Sequence, residues 1–154
     1  LHRTRRLVGA VKATEMGQVR EPGPANGTLA YALMMADRNE EALITVRKAM
    51  EAIPNHPGGY SIIKILTCYF TDELEEARQE AEKMSRLQPD FYTAPPLLAA
   101  LNIELGAHQA EHDVAKRVTA RDARFDARQL VASFGLKNSG NAKRVAAALA
   151  KAGL

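Results

Sequence analysis

Three stretches of this chain repeat one another at a period of 34 to 35 residues. Ala42 is matched by Ala77, Ala49 by Met84 and Pro54 by Pro89, each pair 35 residues apart. A third copy runs through Ala110-Glu111, Val114-Ala115, Val118 and Arg121-Asp122-Ala123, with Ala123 standing 34 residues after Pro89. Gly106 occupies the turn position held by Asp37 and Asp72 in the earlier copies. A period of this length means that one small supersecondary unit is reused. Such a unit cannot bury its apolar face alone, so neighbouring copies must stack.

The unit is helical. Aromatic residues are only 5% and Trp is absent, while 46% of the 154 residues are hydrophobic, rich in Ala and Leu. The spacing predicts helices at about 4–19, 26–36, 40–52, 58–70, 73–86, 92–104, 108–121, 125–133 and 141–152. Pro54 and Pro89 stop the second helix of a pair. Asp37-Arg38-Asn39 and Thr71-Asp72 offer capping oxygens, and Glu40, Glu41, Glu75 and Glu76 fill first turns where the helix dipole favours acids. Ala42, Ala49 and Ala77 are small residues on one face that allow close helix approach. Glu21-Pro-Gly-Pro-Ala-Asn-Gly27 reads as a chain breaker.

These residues carry a resemblance to the tetratricopeptide repeat family. Residues 23–56 match its pattern at Leu29, Ala30, Ala42, Val46, Ala49 and Pro54; residues 57–91 at Tyr60, Ile63, Ala77, Ala81, Met84 and Pro89; residues 92–125 at Gly106, Ala115 and Val118. The resemblance implies an all-α fold, a right-handed superhelical α-α solenoid of about three units. Residues 126–154 are expected to form a C-terminal capping helix pair, with Val145, Leu149 and Ala152 as the apolar stripe of the last helix. Residues 1–22 are expected to form a basic helix or a severed half-repeat. The Lys151-Ala152-Gly153-Leu154 end resembles the C-terminal repeat regions of bacterial multidomain regulators of the class III nucleotidyl cyclase or winged-helix type. The chain opens on Leu, which fits a piece of a longer protein.

Charge narrows the partners. The net +3 resolves into a basic head (residues 1–22), an acidic middle (23–89) and a basic end (90–154). Basic residues are interleaved with acids and lack stacking aromatics, which disfavours nucleic acid. The most apolar stretch, Ile62–Phe70, is interrupted by Lys64 and is far shorter than a membrane span. A cytoplasmic location is expected, and the one cysteine, Cys68, supports no disulfide framework.

No catalytic, cofactor or metal site is expected. His108-Gln109-Ala110-Glu111-His112 reads H-x-x-E-H, an order used by zinc hydrolases. It falls at the opening of a repeat's second helix, with no further domain to build a cleft, so the zinc hydrolase is the disfavoured alternative. Cys68 sits among Ile65, Leu66, Tyr69 and Phe70, as a buried inert thiol would.

The expected function is protein–protein interaction. The resemblance places Tyr31, Met34, Met35, Ser61, Ile65, Cys68, Tyr69, Pro96, Ala100, Ile103 and Glu104 on a concave groove lined by the first helix of each pair. The same residues also suit packing between helices, and the sequence leaves the two roles open. The occupant would be a partner peptide or helix, or other domains of the parent chain. Dimerisation through exposed end surfaces is the second expectation.

Overall fold

The computed structural model describes residues 22–154, and of 22–25 and 108–111 the backbone alone. The helix expected over 4–19, and with it nearly all of the basic head, lies outside the described residues. Among these residues the protein is all-helical, without a strand. The elements are α1 (Pro22–Met35), α2 (Asn39–Ala52), α3 (Gly58–Phe70), α4 (Leu74–Leu87), α5 (Ala94–Glu104), α6 (His108–Arg121), α7 (Ala127–Ser133) and α8 (Ser139–Lys151).

One departure from expectation sits at a helix start. The Pro-Gly-Pro stretch does not break the chain before α1 but begins it. The first-turn N–H groups of a helix have no intrahelical acceptor, so proline costs little there. Pro95 and Pro96 similarly fall in the first turn of α5.

The three-residue turns that close α1–α2, α3–α4 and α5–α6 share one geometry. Asp37, Asp72 and Gly106 have φ of 62°, 61° and 75°. The next N–H reaches back to a carbonyl five residues earlier: Arg38 to Leu33, Glu73 to Cys68 and Ala107 to Asn102, at 2.9, 2.9 and 2.8 Å. This is a helix C-terminal closure through one left-handed residue, which Asp tolerates better than most residues and glycine best. The capping oxygens expected from Asp37-Arg38-Asn39 and Thr71-Asp72 are not used: neither α2 nor α4 has a side-chain cap. The turn is made by the backbone, and its carboxylates are left free for other contacts.

The far ends of the hairpins repeat as well. Ile53 and Asp122 follow α2 and α6 in extended conformation. A proline follows Ile53 and imposes this geometry. No proline follows Asp122, whose carboxylate instead accepts the Arg124 N–H at 3.0 Å.

Each hairpin packs on the next through α2 against α3, α4 against α5, and α1, α3 and α5 against one another in sequence. Ala42, Ala49, Ala77 and Ala81 are fully buried, which lets the backbones approach. Tyr69, Ile65, Leu66, Leu97 and Leu101 fill the centre. Helix α3 is buried nearly all round, as its almost unbroken apolar sequence requires.

Helices α7 and α8 depart from this stacking. Helix α8 packs against α5 and α7. Both have side-chain N-caps: Asp126 accepts from Arg128, and Asn138 from Gly140 and Asn141. Val145 and Leu149 are fully buried, and Ala152 nearly so. Burying a Val or Leu side chain stabilises by about 1.5–3 kcal/mol.

Candidate functional site

Helix α8 lies on α5, with α7 beside it, and its polar side chains reach the turn after α1, the end of α3 and the turn after it. At one end, Asn138 and Asn141 donate to the Asp37 carboxylate of the first turn at 3.3 and 3.4 Å. Six residues beyond Asn138, Arg144 reaches the second and third hairpins. Its Nε lies 3.0 Å from both Glu104 carboxylate oxygens, and its Nη2 lies 2.5 Å from Oε2. Its Nη1 donates to the Tyr69 carbonyl at 3.3 Å, and Nη2 pairs with Asp72 at 2.9 Å. The guanidinium carbon stands 5.1 Å from the centre of the Tyr69 ring. A planar fork is needed to meet a carboxylate, a carbonyl and a ring face together, and only arginine supplies one.

The electrostatics follow from the fold. Glu104 is the last residue of α5, at the negative end of the helix dipole, and its side chain is only 17% exposed. A carboxylate there requires a cation. The Glu104 hydrogen bond, followed by Asp72, holds the Arg144 pKa above its ordinary value. Burial, and then the Glu104 charge, raises the Tyr69 phenol.

Beyond Arg144 the face is apolar. Phe134, buried at the end of α7, joins Tyr31, Met34, Ile62, Leu66 and Phe91 around a cavity of about 480 Å³. Gly27 belongs to the same wall, at a position where a β-carbon would overlap the Tyr60 ring. A second cavity of about 460 Å³ lies between α4, α5 and α6, lined by Tyr92, Leu98, Val118 and Phe125, with Arg117 and Arg121 beside them.

The residues assigned to the groove from sequence divide sharply. Tyr31 is 52% exposed, whereas Met34, Met35, Ser61, Ile65, Cys68, Tyr69, Pro96 and Ala100 are buried and Ile103 and Glu104 half-buried. Interhelical packing accounts for burial along these helices, and Arg144 of α8 lies against Tyr69 and Glu104. Sequence reasoning missed Arg144, Asp72, Asp37, Asn138, Asn141 and Phe134. No local signal marks them: Arg144 meets Glu104 from 40 residues away, and Asn138 meets Asp37 from 101.

Cys68 is fully buried, and burial first, then the Glu76 charge, pushes its thiol up to about 12. At neutral pH it carries almost no thiolate. In the H-x-x-E-H segment His112 is exposed, and the side chains of His108 and Glu111 lie outside the described residues. Among the described residues no group of three His, Cys, Asp or Glu is placed to hold a metal ion, and no helix is long and apolar enough to cross a membrane.

Comparison with family models, with curated proteins and with solved structures finds no match for this chain.

Proposed function

We propose that this chain is a protein–protein interaction module of the tetratricopeptide type, a superhelical stack of three helix pairs serving a larger regulatory protein. One observation carries the reading. The face of α5, with the end of α3 beside it, holds a helix, the chain's own α8, through a buried apolar stripe and a forked arginine. A face that seats one amphipathic helix has the chemistry to seat another. The uncovered remainder of that face, around Tyr31, Ile62 and Phe91, is apolar and aromatic, the composition of a binding hot spot.

The test is selection of short amphipathic helical peptides from a displayed library against the full chain. Peptides retained by the wild-type chain are expected to bind the Tyr31→Ala/Ile62→Ala variant at least about tenfold more weakly, a loss of about 1.4 kcal/mol. They are expected to bind Ile44→Ala, altered on an exposed position of α2, unchanged. Failure to enrich any peptide, or binding indifferent to Tyr31 and Ile62, contradicts the reading.

A further inference from the structure

We propose that Tyr69, Asp72 and Glu104 form an arginine receptor which Arg144 fills in cis, and that the module's partner is an amphipathic helix presenting an arginine that displaces α7–α8. This rests on the reading that the first-helix face binds helices. The receptor is built for one cation. Glu104 takes the guanidinium with both oxygens, the Tyr69 carbonyl and Asp72 take further N–H groups, and the Tyr69 ring lies beside its plane. Emptied, it would leave a mostly buried carboxylate at the negative end of α5 and a buried tyrosine ring without its cation. Such a site is occupied by an arginine from one source or another.

The hairpin that supplies Arg144 is attached as a tethered ligand would be. It joins α6 through exposed residues Asp122, Ala123 and Arg124. Helix α7 packs chiefly on α8, and α8 chiefly on α5. Among its polar contacts are the bonds from Asn138 and Asn141 to Asp37, both longer than 3.2 Å. The recognition pattern is therefore that of α8 itself: an arginine, an apolar residue next to it (Val145), and small and apolar residues one turn further (Ala148, Leu149), all three buried.

The experiment uses the full chain carrying Arg144→Glu, which sets like charges against Glu104 and Asp72, and a labelled peptide of residues 125–154. Hydrogen exchange is expected to speed at least about tenfold over residues 127–151 while α3 and α4 keep their protection. The Arg144→Glu chain is expected to bind the peptide at least about tenfold more tightly than the wild-type chain does, and to lose about tenfold when the peptide carries Arg144→Ala. Unchanged protection over 127–151 overturns the proposal. So does loss of protection in every helix alike, or failure of the variant to fold, since the hairpin is then part of one cooperative core. Binding that ignores the peptide's arginine removes the receptor but leaves the helix-binding face standing. Binding of no peptide by a locally opened chain removes both.

Discussion

Arg144 and Glu104, 40 residues apart in the chain, meet as a forked pair whose nitrogen and oxygen atoms lie 2.5 to 3.0 Å apart. The pair ties the last helix to the end of α5, and through Tyr69 and Asp72 to α3 and the turn after it. Because the fork matters as well as the charge, Arg144→Lys is expected to recover less than half of the stability lost in Arg144→Ala, read by urea denaturation. Full recovery by lysine would show that charge alone suffices.

Gly106 and Gly59 separate backbone from space. A β-carbon at either meets no atom within 4 Å, but Gly106 has φ of 75° while Gly59 lies in the first turn of α3. Gly106→Ala is expected to destabilise by about 1 kcal/mol and Gly59→Ala to stabilise by about 0.5 kcal/mol. Shifts of the same sign in the two denaturation midpoints would contradict this account of the turn.

Gly27 is constrained by space alone. A β-carbon there would overlap the Tyr60 ring, which stacks on His56 with centroids 5.9 Å apart. Gly27→Ala is expected to cost about 1–3 kcal/mol in the wild-type chain and under about 0.5 kcal/mol in a Tyr60→Ala background. Equal costs in both backgrounds would place the strain elsewhere.

Acid stability should report Glu76. Its hydrogen bond to Arg47 lowers its pKa below the ordinary 4.5. A depressed folded pKa contributes stability that is fully present above 4.5 and is lost as the pH falls through the lower folded value. Glu76→Gln is expected to flatten the fall of the urea midpoint below that pH and to leave its shape above pH 6 unchanged, within about 0.3 kcal/mol. An unaltered acid limb would remove Glu76 as a contributor.

Cys68, buried and with its thiol pushed up to about 12, is expected to react with a disulfide reagent at pH 8 only as fast as the chain opens. The rate should rise with urea in step with local unfolding. Immediate stoichiometric labelling of the native chain would contradict its placement.

The helices and their order were legible because the repeat carries its own punctuation. Ala42, Ala77, Pro54 and Pro89 mark the same register twice, and the observed α2, α3 and α6 begin and end within one residue of expectation. The start of α1 was misread because a Pro-Gly-Pro run breaks a helix interior but not a first turn. The turns were placed correctly at Asp37, Asp72 and Gly106, but their chemistry was misread: the two aspartates looked like caps, whereas the backbone at φ near 60° closes the helix by itself. The candidate site was half legible. The apolar stripe of Val145 and Leu149 was visible by its four-residue spacing, but what it covers was not. Helical periodicity describes one element at a time, and nothing local marks Arg144 as the partner of a glutamate 40 residues away.

A double-mutant cycle on Arg144→Met and Glu104→Gln tests most directly whether the last helix is seated on the first-helix face. The stabilities of wild type, both single variants and the double variant are read by urea denaturation. The geometry predicts a coupling of about 1.5–3 kcal/mol between the two positions. A coupling within about 0.3 kcal/mol of zero would mean that Arg144 does not sit on Glu104 and that α8 is not held there.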